Sequence, residues 1–421
     1  MAITFKSRVL SLLLLLPFLA GLASCSDDSL DPDDDDPVER VEARITEVIR
    51  YEKNRMTAYN IEYLSKDPSG KPVTLSGTIT VGDEIASDKH ARGFVLYNHY
   101  TIFSEGECPS KGNLDVQKFA VGSGLIVVAP DYYGFGSTAD KPQAYCFAGA
   151  NARASVDALM AARMLLSDKG YRWDKVLFNM GYSQGGQTAI GVLKLMTESY
   201  PSIRITHTFA GAGPYDLPET YRWMVSKKES TMPSTVVQSL LTYNLLCSLG
   251  VEWSSIFKEP LLSNYEDWFL SKKYGGGTID RKLGSDNLTD YLTPVALDLG
   301  SDVSRTFVSA MQEDNLCQGW TPRKDEQISI IHNLNDDVVP ASNAENLVAF
   351  FRKCGLPVAR SSSEKGVYVQ VYDMSIEQKM YNISEPHQMG AVVFLLTVLS
   401  KVRATLDIDY WFDMSEIEDV L

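Results

Sequence analysis

"VLFNMGYSQGGQTAIGVLKLM", Val176 to Met196, changes character at its middle. Its opening is a continuous apolar run of the kind expected in a strand covered on both faces. Its close carries apolar residues at helical spacing. Between the two, Ser183 sits with Gly181 and Gly185 on either side. A strand that runs directly into a helix through Gly-Tyr-Ser-Gln-Gly must turn sharply at the serine, and the flanking glycines let neighbouring backbone pass without meeting a Cβ. The hydroxyl would then project at the carboxyl end of a sheet. The N–H groups opening the helix, beginning with Gln184, would face any negative charge developing there. An ordinary tight strand–helix turn is the competing reading. The strand before and the helix after favour a nucleophile.

The pattern on both sides agrees. "ARITEVIRYE" (Ala43–Glu52), "TAYNIEYLS" (Thr57–Ser65) and "VTLSGTITV" (Val73–Val81) alternate and have short polar connections, which predicts an antiparallel meander. "GFVLYNHY" (Gly93–Tyr100) and "GLIVVAP" (Gly124–Pro130) are unbroken apolar runs, as in buried parallel strands. A helix is expected over Ala150–Gly170, and a further strand over Arg204–Gly213. From about Pro214 to Arg323 the rhythm breaks into helical segments such as Ser234–Leu249 and Val303–Gln312 with aromatic-rich connections. Strand–helix alternation then resumes. Gln327–Leu334 and Gly366–Asp373 read as strands, Ser342–Gly355 as a helix capped by Ser342 or Asn343, and Met389–Val402 as a closing helix. The expected fold class is α/β, with a mainly parallel sheet, an antiparallel N-terminal meander and a helical insertion placed as a cap or lid. The segments are 43–213 and 327–421 for the two parts of the core and 214–326 for the insertion.

A serine hydroxyl needs a base to take its proton, and that base needs an acid to orient it. The chain has five histidines. His90 falls in a polar loop, His99 ends a buried strand, and His207 and His332 lie within strands, where a histidine is usually a hydrogen-bonded core residue. His387, in "ISEPHQMG", follows the last expected strand and directly precedes the last helix, in a loop from which an imidazole could reach Ser183. For the acid, "IIHNLNDDVVP" offers Asp336 and Asp337 just after a buried strand, one of which could serve as a turn or capping residue. Asp216 is a rival, better suited to shaping the pocket floor or the start of the cap. The order Ser, Asp, His is the one expected for this type of elbow.

"GYSQGG", "HNLNDDVVP" and "EPHQMG" together resemble the α/β-hydrolase superfamily, and within it the secretory lipases and related serine esterases. "APDYYGFG" (Ala129–Gly136) is similar to a loop common in those proteins. The resemblance runs from about residue 43 to 405 apart from the insertion. It implies Asp336 as the acid, with Asp337 as the fallback, and an oxyanion hole made by Gln184 and a second donor after the early strand. That second stretch reads "YNHYT", with Tyr100 where the family has glycine, so the donor is Tyr100 or Thr101. The implied activity is hydrolysis of carboxylic esters, of a small-molecule, lipid or glycan substrate, with no metal or organic cofactor. A serine exopeptidase on the same fold is an alternative. So is a non-catalytic glycan- or lipid-binding protein using Trp223, Trp253, Trp268 and Trp320, although such residues more often fill a cap core.

Composition is that of a globular protein: 421 residues, 44% hydrophobic and 22% charged. The net charge of −15, without a Lys/Arg cluster, argues against nucleic acid as a partner. Residues 1–24 read as an export signal: Lys6 and Arg8 precede the apolar run Val9–Ala23, which is short for a membrane span. "LASC" (Leu22–Cys25) resembles the lipobox of bacterial lipoproteins, which implies lipidation of Cys25, a membrane anchor and a place at the cell envelope. Removing Lys6 and Arg8 with the signal would take the charge from −15 to −17. Residues 25–42 include the acidic, Pro-interrupted "CSDDSLDPDDDDPVER" and read as an unstructured tether. They are not an EF-hand, because Asp36 occupies the turn-glycine position. Of the later cysteines, Cys108–Cys146 and Cys247–Cys317 are the candidate disulfides, and Cys354, in an expected helix, reads as a buried thiol. Asn287 and Asn382 fit the N-glycosylation pattern, which an envelope lipoprotein of bacterial type would leave unused.

Overall fold

The computed structural model describes residues 40–112, 122–359, 366–373 and 385–408. The signal region, Cys25, nearly all of the tether and Asn382 lie outside the described residues.

Among the described residues, ten strands form one sheet. They are β1 (Ala43–Tyr51), β2 (Met56–Lys66), β3 (Pro72–Gly82), β4 (His90–Asn98), β5 (Leu125–Pro130), β6 (Arg172–Tyr182), β7 (His207–Gly211), β8 (Ile328–Asn333), β9 (Val358–Ala359) and β10 (Val367–Tyr372). Their spatial order is β1-β2-β3-β5-β4-β6-β7-β8-β10-β9. The first three pair antiparallel, as their alternation predicts, and β3 also meets β5 antiparallel. From β5 to β9 every pairing is parallel.

The unbroken apolar runs are explained by the two faces of this sheet. Phe94, Leu96, Ile126, Val128, Ala210 and Ile330 point into one core, packed under the helices Ala148–Asp168, Gln184–Ser199 and Ser342–Lys353. Their neighbours Val95, Tyr97, Leu125, Val127, Phe209 and Ile331 point into a second core on the opposite face. Phe394, Val398 and Val402 of the helix Pro386–Leu406 close that face, so its apolar composition is used in packing against the sheet. Alternate residues of one strand thus serve two cores, and neither face can be polar.

Between β7 and β8 lies a run of helices: Leu217–Lys227, Pro233–Leu246, Gly276–Leu283 and Asp302–Met311, with shorter turns among them. They enclose a third core of their own, with Leu240, Leu241, Phe257, Phe269 and Phe307 at its centre.

Several local expectations need correction. The last helix begins at Pro386, so His387 lies in its first turn and not in a loop. Proline is suited to that position because its missing N–H would have had no helical partner. The cap of Ser342–Lys353 is Ala341. Asn343 is instead buried: its carbonyl accepts the Asp216 N–H at 2.8 Å, and its amide donates to Thr220 Oγ1 at 2.9 Å. His90 is the first residue of β4 and faces Asp174 at 3.0 Å. No cysteine among the described residues forms a disulfide. Cys108 packs with Ile102 and Phe135 while Cys146 belongs to the insertion core, so that candidate pair is divided between two clusters. Cys247 is exposed, whereas Cys317 packs against the main core. Trp320 also belongs to the main core, beside Phe350 and Phe351, and not to the insertion.

Candidate active site

The parallel strands β4, β6, β7 and β8 end at one edge of the sheet, and the residues following them meet there. β6 delivers Ser183. Its backbone has φ 57° and ψ −123°, a region that a residue with a Cβ rarely occupies and that costs of order 1–3 kcal/mol. The surroundings impose it. Ser183 N–H donates to Gly211 O at 2.8 Å, and its carbonyl accepts from Gly186 and Gln187 at 2.9 and 3.1 Å. A Cβ at Gly181 would lie 2.1 Å from Gly185 O, and one at Gly185 would lie 2.1 Å from Asn98 O. Both glycines are therefore demanded by contact. The loop after β4 is pressed against the start of the helix that follows Ser183.

The three residues expected to cooperate are brought together. Ser183 Oγ is 2.9 Å from His387 Nε2, and His387 Nδ1 is 2.7 Å from Asp336 Oδ2. Asp336 follows β8, and its other oxygen accepts the N–H groups of Val338 and Val339 at 2.9 and 2.7 Å. One carboxylate oxygen is thus fixed by the turn and the other is left for the imidazole. His387 and Asp336 are buried, whereas Ser183 is half-buried. Burial alone pulls the His387 pKa down, but the charge and hydrogen bond of Asp336, with Asp337 adding its charge, hold it above the ordinary value. Burial pushes Asp336 upward, and the charge and hydrogen bond of His387 outweigh this and keep it below the usual carboxylate range. The pair is arranged to stabilise an imidazolium beside a carboxylate.

Asp337 and Asp216 have other duties. Asp337 accepts the backbone N–H of His387 at 3.1 Å, which caps the last helix, and the hydroxyl of Thr231 from the insertion at 2.6 Å. Asp216 caps Leu217–Lys227 through Glu219 N–H at 3.3 Å and accepts from Asn315 and Asn346, each at 3.1 Å. The remaining histidines are accounted for. His332 donates to Val339 O at 2.9 Å inside β8, and burial depresses its pKa. His207 faces Ser329 Oγ at 2.8 Å, and burial holds its pKa near 3. His99 lies between the carbonyls of Tyr100 and Asp131, at 2.6 and 3.3 Å, with its ring centroid 4.0 Å from that of Tyr132 and tilted by 31°.

Gln184 opens the helix, where its N–H has no partner within the helix. Tyr100 and Thr101 lie in the loop held against Gly185, and the Tyr100 side chain is exposed. The His99 bond to Tyr100 O ties down the carbonyl side of that loop.

Two supporting residues are not apparent from the motifs. Tyr182, the variable residue before the serine, donates its hydroxyl to His387 O at 2.6 Å. Its ring lies 5.3 Å from that imidazole. Gly390 leaves the space for it, since a Cβ there would be 2.3 Å from the Tyr182 hydroxyl. The signal was present in the His-Gln-Met-Gly spacing, where the glycine lies almost one helical turn after the histidine.

A small cavity adjoins Ser183 and Gln184, walled chiefly by apolar side chains of the insertion and by Val338 and Val339. No group of His, Cys, Asp and Glu suited to holding a metal ion occurs among the described residues.

No protein-family model matches the chain, and no curated protein sequence does. Solved structures do. The rice cell wall degrading esterase LipA from Xanthomonas oryzae superposes with a TM-score of 0.69 at 20% identity, covering 87% of this chain and 97% of that one. A candidate hydrolase from Legionella pneumophila gives 0.68 at 17% identity, covering 89% and 99%. Candida antarctica lipase A in its closed state gives 0.58 at 13% identity, covering 87% and 82%. At these identities the shared property is the fold, and it is the α/β-hydrolase fold.

Proposed function

We propose that the chain is a serine hydrolase of carboxylic esters that works through an acyl-enzyme. One observation carries the reading: the continuous hydrogen-bonded row from Ser183 Oγ through His387 to Asp336, at 2.9 and 2.7 Å, with the serine in a strained turn. His387 Nε2 takes the proton as Ser183 Oγ attacks the ester carbonyl. The oxyanion is held by the N–H of Gln184 and by that of Tyr100 or Thr101. His387 then gives its proton to the departing alcohol, and a water deprotonated by the same nitrogen releases the acid and restores Ser183. Asp336 remains ionised throughout and stabilises the transient imidazolium. The site's own residues suffice for each proton transfer.

Ester substrates are favoured over aminoacyl ones because no acidic side chain lines the cavity among the described residues, so nothing there would clamp a substrate amine. The esterase and lipase descriptions of the structural neighbours point the same way. The insertion would act as the cap that shapes substrate access. A fluorophosphonate probe tests the nucleophile: labelling should map to Ser183, and a folded protein that takes no label would refute the reading. A panel of p-nitrophenyl esters and aminoacyl nitroanilides tests the bond, with preferential cleavage of the nitroanilides as the contrary result.

The site of action belongs to the same proposal. Lipidation at Cys25 would tether the enzyme to a bacterial envelope through the acidic segment that follows. Metabolic labelling with a fatty acid should mark the protein and be lost in Cys25→Ala; a label that survived the substitution would remove the anchor from the proposal.

A further inference from the structure

We infer that the acyl side of this site takes acetyl and comparably short acyl groups, so the substrates are acetyl esters and not long-chain lipids. The inference rests on the ester-hydrolase reading and names its substrate class. The cavity beside Ser183 has a volume of about 20 Å³. On that scale one water occupies about 10–15 Å³, so the space admits one or two heavy atoms beyond the reacting carbon. The methyl of an acetyl group fits. The hydrocarbon tail of an octanoyl group does not.

Chemistry decides which half of the ester enters. The cavity is lined by Ser183 and by Gln184, the residue proposed above as an oxyanion donor, while His387 is not among its lining residues. The departing alcohol must receive its proton from His387 Nε2 and so leaves on the imidazole side. The group lying away from the imidazole is the acyl group.

The wall does not yield readily. Leu217, Tyr221 and Met224 come from one insertion helix and Val236 from the next, with Val338 and Val339 closing the side of the acid loop. All six are buried within the insertion core. Close-packed side chains of this kind do not swing aside for a longer chain without strain elsewhere. The apolar lining also favours an uncharged acyl group.

The test measures kcat/KM of the purified chain for p-nitrophenyl acetate, butyrate, hexanoate and octanoate. Acetate should lead, with a fall of about tenfold or more by hexanoate. Equal or better turnover of octanoate would overturn the inference while leaving the esterase reading intact. Hydrolysis of none of the four, with no fluorophosphonate label, would instead take down the esterase reading and this one with it. Met224→Ala removes three heavy atoms from the wall and should raise the butyrate-to-acetate ratio about tenfold. Val236→Ala is the milder variant should Met224→Ala fail to fold, with a smaller shift in the same direction. A folded variant with an unchanged chain-length profile would show that this cavity does not hold the acyl group.

Discussion

Replacing Gly185 with alanine should separate the two halves of the oxyanion hole while leaving the serine–histidine–aspartate row in place. The added Cβ would lie 2.1 Å from Asn98 O and 2.9 Å from His99 O. A relaxed carbon–oxygen contact is about 3.3 Å, so the loop after β4 and the helix after Ser183 must part by about 1.2 Å. Both neighbours are backbone atoms at the end of a central strand, so no side chain can absorb the shift by rotating. The loop carries Tyr100 and Thr101, and a displacement of that size takes their N–H groups out of hydrogen-bonding range of an oxyanion still held by Gln184. Loss of one such donor costs about 10²–10³ in kcat, or about 2.7–4 kcal/mol of transition-state stabilisation. The interaction is made mainly in the transition state, so kcat should fall with little change in KM. The assay is steady-state hydrolysis of p-nitrophenyl acetate by wild type and Gly185→Ala, with circular dichroism melts to establish that the variant is folded. A folded variant keeping kcat within about threefold of wild type would refute the placement of the second donor in residues 100–101.

Three further outcomes follow from the same geometry. Ser183→Ala should lower kcat by about 10⁶ while leaving the fold intact, read from ester hydrolysis and a thermal melt, and near-normal turnover would remove Ser183 from the nucleophile's role. Asp336→Asn should cost about 10⁴ in kcat. The acid limb of its kcat/KM profile should also move to lower pH, because the larger of the two charges that raise the His387 pKa is gone while burial, which lowers it, remains; a limb that stays in place contradicts the assignment. Asp314 is buried, accepts from Tyr243 Oη at 2.6 Å and Gly149 N at 3.2 Å, and is pushed by burial from 3.8 to about 6. Its folded-state pKa is the higher one, so its contribution to stability is complete below about pH 4 and is lost as pH rises through about 6. Wild type should therefore lose on the order of 2 kcal/mol relative to Asp314→Asn between about pH 4 and pH 7 in denaturant titrations, and a difference that does not vary with pH would contradict it.

The sheet was legible because its strands are covered on both faces. Runs such as "GLIVVAP" have no solvent side, so they can be read without knowing what covers them. The serine turn was legible for a related reason: Gly181 and Gly185 are required by contacts at 2.1 Å, and only glycine meets that requirement. Five histidines leave few candidates for a base. What escaped depends on contacts between distant segments. Nothing local to Met224 or Val236 says that they close a cavity beside Ser183, since that follows from how two insertion helices lie over the sheet edge. The cysteine pairs failed for the same reason, because connections of similar length can end in different clusters. The start of the last helix is only half visible locally: Pro386 is a first-turn residue, but the capping group is Asp337, about fifty positions earlier in the chain.

The Asp336-Asp337 pair shows why this remote cap bears on the chemistry. Asp336 orients the imidazole through Nδ1, and Asp337 holds the backbone N–H of the same histidine. The Tyr182 hydroxyl holds that histidine's carbonyl from the other side. His387 is thus gripped at ring, amide and carbonyl by residues from β6 and from the turn after β8, the strands whose ends carry the serine and the acid. Asp337 also accepts the hydroxyl of Thr231, so one carboxylate joins the first turn of the base-bearing helix to the insertion. A movement of the insertion that broke the Thr231 bond would alter the environment of the group fixing His387, and would do so without touching Asp336. Two adjacent acids therefore hold the same histidine at different atoms: Asp336 bonds its ring and gives the larger charge that raises its pKa, while Asp337 bonds its backbone N–H and adds the smaller one.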